Sequence, residues 1–134
     1  MNAASEPPPL HLQWAEKAEH DLINAEHTLA LGEDCPFDTV CFHAQQCAEK
    51  YLKALLCYRD IDFPRTHDIR ILVQAALAVV PLGIDVQAVV SLNRYAVETR
   101  YPGDWEPFDR SEAIQAVKTA RTVRQVVRAL LPQT

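Results

Sequence analysis

Apolar residues recur along most of this chain at three- and four-residue intervals, the spacing that gathers them on one face of an α-helix. Trp14, Ala18, Leu22, Ala25 and Leu29 form such a stripe and predict a first helix over about 12–31, with Gly32 as its stop. Val40, Ala44, Cys47, Ala48, Tyr51, Leu55 and Tyr58 predict a second over about 36–59. The Ile61-Asp62-Phe63-Pro64 turn ends it, because the residue before a proline disfavours helix. Thr66 reads as the N-cap of a third helix from His67 to about Val80, broken by Pro81-Leu82-Gly83. Asp85 caps a fourth, which continues to about Arg100 and stops before Pro102. Pro102, Gly103 and Pro107 make Tyr101 to Phe108 a loop. Asp109 and Glu112 stand at capping-box spacing and open a last helix to about Leu131, on the stripe Ala113, Val117, Ala120, Val127 and Leu131. No strand pattern and no internal repeat emerges. Short connections favour antiparallel neighbours, so the expected fold is all-α: an antiparallel up-down bundle of about five helices. The first, second, fourth and fifth would form the core, and the short third would pack across one end.

Length and composition sharpen this picture only a little. The chain of 134 residues fits one domain with one core. Residues 1–10, with Pro7, Pro8 and Pro9, read as a flexible tail, and 11–134 as a single helical domain. A net charge of -5 argues against a global basic field for nucleic acid. No apolar run approaches the roughly 20 residues of a membrane span, and the N-terminus lacks a signal-peptide pattern. Cys35, Cys41, Cys47 and Cys57 form no Cys-x-x-Cys pair, and three of them fall in the second predicted helix as small apolar residues. A reduced, cytoplasmic setting is expected.

Some polar residues interrupt the stripes. On a wheel of about 100 degrees per residue, Val86, Val89, Val90 and Val97 set the inner side of the fourth predicted helix. Asn93 and Arg100 fall inside that arc, and Arg94 and Tyr101 lie on its flank. A buried arginine needs a partner or a wet cleft. Arg100 with Asp21 and Arg94 with Glu98 are the structural pairings. A ligand cleft lined by Asn93, Arg94, Arg100 and Tyr101 is the functional alternative. On the second helix, Gln46, Glu49, Lys50 and Lys53 form a polar stripe that reads first as a solvated face, although Phe42 beside it marks an interface. Lys118, Arg121, Arg124 and Arg128 make a basic stripe on the last helix, read as a solvated face before an RNA contact. His43 and Cys41 point to different sides of a helix, and His67 beside Asp68 reads as a turn residue rather than a ligand. Asp104 and Glu106 read as solvated loop charges. No metal site, cofactor site or nucleophile motif is legible.

Four segments resemble the HEPN domain family, the higher eukaryote and prokaryote nucleotide-binding domains. They are Ala18-Glu19-His20-Asp21-Leu22, the block Gln45-Gln46-x-x-Glu49-Lys50-x-x-Lys53-Ala54, Thr66-His67-Asp68, and Thr99-Arg100-Tyr101-Pro102. The resemblance implies a helical bundle that commonly dimerises. It also implies the small prokaryotic kind of HEPN protein, often encoded beside a minimal nucleotidyltransferase, with several such pairs acting as toxin and antitoxin. Toxic members are metal-independent ribonucleases that use an arginine followed a few residues later by a histidine. Here Arg94 is followed at that interval by Tyr101, and no histidine lies after His67. A tyrosine, with a reference pKa near 10, can donate a proton or orient a phosphate but is a poor base. The resemblance therefore implies a dimeric, nucleotidyltransferase-binding module with nucleotide or RNA bound by Asn93, Arg94, Arg100 and Tyr101, assisted by Gln46 and Lys50. A ribonuclease using Arg94 and Tyr101 and a purely structural interaction module are the alternatives.

Overall fold

The computed structural model describes residues 6–96 and 107–132. Arg100 and Tyr101, with Val97, Glu98, Asp104 and Glu106, lie outside the described residues, and so do the expectations that rest on them. The helices are α1 (Leu10–Leu29), α2 (Phe37–Tyr58), α3 (Ile69–Leu77), α4 (Val86–Val90) and α5 (Arg110–Leu130). A 3-10 turn, Gly32–Asp34, follows α1, and a 3-10 segment, Ser91–Tyr95, continues α4. There is no strand among the described residues.

α2 is the hub. α1 and α5 flank it, and α3 and the 3-10 segment cover part of its remaining surface. Asp21 meets Lys50 while Trp14 meets Lys53, so α1 and α2 run antiparallel. Arg121 meets Glu26 and Arg124 meets Glu19, so α5 also opposes α1. It follows that α2 and α5 run parallel, as Arg110 over Phe37 and Arg128 at Tyr51 confirm. The predicted stripes of α1 and α5 supply the core with α2: Ala18, Leu22 and Ala25 are buried in one cluster with Ala113, Val117, Ala120 and Val127. Leu52, Leu55 and Leu56 of α2 are almost fully buried. Each stabilises the fold by about 1.5–3 kcal/mol over its exposed state.

Several boundaries depart from the sequence reading, for local reasons. α1 starts two residues early, at Leu10, because Pro9 is a fitting residue just before a helix and Gln13 Nε2 donates to the Pro8 carbonyl at 2.8 Å. α2 ends at Tyr58, close to the expected boundary, but the cause differs from the expected one. Asp60 takes a left-handed φ of 56°, and the Ile61 and Asp60 amides donate back to the Leu56 and Cys57 carbonyls at 2.9 and 3.1 Å. This closing motif, not the proline, satisfies the last carbonyls. The cap of α3 is Asp68, which accepts from the Arg70 amide at 2.9 Å. Thr66, the expected cap, instead accepts from the Asp68 amide at 3.0 Å.

The largest departure is the fourth helix. Asp85 caps it as expected, accepting from the Ala88 amide. The α-helix then lasts only to Val90 and tightens into the 3-10 segment. Two features of the chain favour this. Val86, Val89 and Val90 are β-branched, and Ser91 Oγ donates to the Ala88 carbonyl at 2.6 Å, a back-bond that bends helices. A 3-10 segment repeats every three residues, so Val89, Leu92 and Tyr95 point inward together and are buried. The 100-degree wheel does not apply to Asn93 and Arg94.

Candidate functional site

The polar stripe of α2 is not a solvated face. Gln45, Glu49 and Lys53 are 0%, 1% and 6% exposed. Lys53 Nζ and Gln45 Nε2 each donate to Glu49 at 3.0 Å, one to each oxygen. His67 Nδ1 lies 3.1 and 3.2 Å from the same two oxygens. A carboxylate only accepts, so that nitrogen carries the proton. Gln46 Nε2 donates to Gln45 Oε1 at 2.7 Å and extends the chain of bonds. The reading failed because a central helix has neighbours on nearly every side. An amphipathic pattern assumes one buried face.

Lys50 belongs to a second cluster, facing α1. Its Nζ donates to Asp21 Oδ2 at 2.6 Å, while His43 Nδ1 sits 2.8 Å from Oδ1. Burial alone would raise the Asp21 carboxyl. The hydrogen bonds from His43 and Lys50 outweigh it and hold the group below its ordinary value. Among the described residues, Asp21 thus finds its partners on α2. The sequence hint was its place at the border of the first stripe, but nothing in the sequence joined it to His43.

The basic stripe of α5 is largely a clamp onto α1. Arg121 donates to Glu26 at 2.6 Å, and Arg124 Nε donates to Glu19 at 2.6 Å. The buried Tyr51 hydroxyl donates to the same Glu19 oxygen, and Arg128 reaches that hydroxyl at 3.4 Å. Burial raises the Tyr51 hydroxyl, and Glu19 raises it further, so it remains a proton donor. Lys118 alone of the four stays simply exposed on the helix surface.

Arg94 sits elsewhere, where the 3-10 segment meets the start of α5. Its NH1 lies 3.5 Å from Glu112 Oε2, and its side chain is 59% exposed. The guanidinium stands 5.5 Å from the ring centres of both Tyr95 and Phe108, which pack edge to face at 4.8 Å. The Tyr95 hydroxyl donates to Glu112 at 3.0 Å, and burial followed by that carboxylate pushes its ionisation up. Asp109 caps α5 as expected, by accepting from the Glu112 amide at 2.8 Å. The Glu112 side chain, however, turns away from that cap to hold Tyr95 and Arg94. Those two roles of Glu112 and the platform role of Phe108 were invisible to a local reading, because the partners are far apart in sequence.

Asn93 braces this site. Its Oδ1 accepts from the Ile69 amide at 2.8 Å, and its Nδ2 donates to Asp68 Oδ1 at 2.7 Å. The side chain therefore closes the open end of α3 and ties the Arg94 segment to the one carrying His67. Of the sequence candidates, Asn93 and Arg94 stand together on this arm. Gln46 and Lys50 engage Gln45 and Asp21 on α2 and α1. Chemically, Arg94 offers an exposed, oriented cation above two buried rings, suited to a phosphate. Among the described residues, no group of three or more His, Cys, Asp and Glu could hold a metal ion. Nor, among them, is any helix long and apolar enough to cross a membrane.

Comparison with known proteins agrees with this architecture. The structure resembles that of TT1696 from Thermus thermophilus, with a TM-score of 0.73 and 32% sequence identity, covering 92% of this chain and 99% of that one. It also resembles ST0689, described as an archaeal HEPN homologue, with a TM-score of 0.70 and 25% identity over 90% of this chain and 96% of that one. A search of curated proteins finds no match. The HEPN domain pattern matches residues 11–130, nearly the full length of the helical bundle, and this chain belongs to the HEPN domain family.

Proposed function

We propose that this HEPN module binds the phosphate of a nucleotide or of single-stranded RNA at Arg94, works as a dimer, and partners a nucleotidyltransferase as one half of a toxin–antitoxin pair. The observation that carries the binding step is the setting of Arg94. The residue is exposed, yet its guanidinium is oriented by Glu112 and lies over Tyr95 and Phe108. An oriented guanidinium loses less freedom on meeting a phosphate than a loose one, so more of the interaction appears as affinity. Arg100 and Tyr101 follow it in the chain as further candidate contacts. Self-association is supported by large apolar side chains left at the surface of α3 and just beyond it: Ile71, Leu77 and Val79.

Binding is measured by fluorescence anisotropy with a labelled single-stranded oligoribonucleotide and by calorimetry with AMP and ATP. Arg94→Met should weaken binding at least tenfold, and Lys118→Ala should leave it within a factor of two. Equal binding by wild type and Arg94→Met would contradict the assignment. Light scattering at micromolar concentration tests the dimer, and pull-down from the native host tests the nucleotidyltransferase.

A second reading, metal-independent RNA cleavage, is favoured by one observation. His67 has a side chain 73% exposed, is held through Nδ1 by Glu49, and is joined to the Arg94 segment through the Asp68–Asn93 bond. A histidine oriented by a carboxylate suits acid–base work. Cleavage of RNA in chelator, lost in both Arg94→Ala and His67→Ala, would put this reading first. Tyr101→Phe tests the role of the tyrosine that follows Arg94.

A further inference from the structure

Beyond the Arg94 site, the other end of α2 carries a groove of about 800 Å³. The start of α1 and the segment leaving α2 form its walls, with Trp14, Tyr58 and Phe63 as the main rings. Tyr58 is 40% exposed, although it belongs to the apolar stripe of α2, and His11 packs edge-on against it at 5.1 Å. An apolar cavity of this size with a polar rim is the usual form of a binding site.

The charge around the groove selects the ligand. Asp60 and Asp62 line it, and both are exposed. Arg65 is the one lysine or arginine among the described residues that line it, so the rim favours a cation. α2 ends here, with Arg59 as its C-cap residue. Aromatic faces attract cations as well. Trp14 already accepts one: Lys53 lies 5.1 Å from its ring centre, on the interior side of the helix pair. The two carboxylates and the rings favour positive charge on an apolar stem.

We propose that this groove docks a basic peptide segment of a partner protein, with an arginine guanidinium set between the rings and the Asp60 and Asp62 carboxylates. A nucleotide fits less well, because its phosphates would meet two carboxylates. The groove is also separate from the Arg94 site. Cys41, which feels the charges of Glu112 and Arg94, and Cys57, which lines the groove, stand about 24 Å apart along α2.

The test uses the full chain in a Trp105→Phe background, where Trp14 is the sole indole. The probe is the capped peptide Ac-Leu-Arg-Pro-Leu-Arg-amide, with a version carrying citrulline for both arginines as the neutral control. Titration should change Trp14 fluorescence saturably, and the citrulline peptide should bind at least tenfold more weakly. Asp60→Asn with Asp62→Asn should weaken the arginine peptide by a similar factor. Asparagine tolerates the left-handed backbone of Asp60, and Asp62→Asn alone, expected to cost about threefold, leaves that turn untouched. Arg94→Met should change nothing, which separates this site from the phosphate site. Equal binding of the two peptides, unchanged binding by both aspartate variants, the absence of a saturable signal, or saturation by adenosine alone would each overturn the proposal.

Discussion

The three long helices and the arm from Asp85 to Ala96 are held in different ways. α1, α2 and α5 share buried stripes and are cross-linked by charged side chains: Asp21 with His43 and Lys50, Glu19 with Tyr51 and Arg124. The arm has one and a half turns of α-helix and then a 3-10 segment, which repeats every three residues. It is anchored by Leu92 and Tyr95 inward and by Asn93 sideways onto α3. The charged residues just named on the long helices are consumed by the fold. In the arm, Tyr95 and Asn93 are consumed, and Arg94 between them is presented. A short, tightly wound segment with anchors on both sides of one residue is a rigid mount for that residue.

The comparison breaks most severely if the buried charges of α2 are not structural. Glu49→Ala would leave Lys53 buried without its main partner, and should destabilise the fold by about 3–5 kcal/mol in urea titration. A loss under about 1 kcal/mol would mean that water reaches Lys53 and that the cluster is open.

Acid sensitivity comes next. Asp21 and Glu19 are both held below their ordinary values of 3.8 and 4.5, because bonds from their cationic and hydroxyl partners outweigh burial. A depressed carboxylate contributes stability that is fully present above its unfolded pKa and is lost as pH falls through the folded one. The melting temperature should therefore hold down to about pH 5 and fall steadily below that. Asp21→Asn should cost about 1–3 kcal/mol at neutral pH and flatten part of the acid slope. An unchanged slope would remove the His43 and Lys50 bonds from the account.

The arm should respond more gently. Asn93→Ala removes the closure of α3 and should cost about 1–2 kcal/mol. It should also weaken phosphate binding, although in this account Asn93 touches no ligand. Smallest of all, Arg121→Ala should change stability by less than about 1 kcal/mol, since that pair is largely exposed.

The same contrast explains what the sequence discloses. The stripes of α1 and α5 and the Asp85 and Asp109 caps are local patterns, and each holds in the structure. The HEPN resemblance rests on local blocks and is likewise upheld. What local patterns miss is contact at long range. Glu49 and Lys53 look like part of a wet face until His67 meets the one and Trp14 of α1 the other. Glu112 looks like half of a capping box until Tyr95 draws its side chain away. The tightening at Ser91 is favoured by β-branched valines and a side-chain back-bond, and it changes which residues of the arm face inward. Arg94 is legible as a candidate, whereas its platform of Tyr95 and Phe108 is not.

The central claim is that phosphate binds at Arg94 on the arm and not along the basic stripe of α5. A nitrogen-15 NMR titration with a short single-stranded oligoribonucleotide tests it most directly. The account predicts the largest amide shifts at Arg94, Tyr95, Phe108 and Glu112, and their loss in Arg94→Met. Shifts concentrated at Lys118, Arg121, Arg124 and Arg128, with the Arg94 group unmoved, would contradict it.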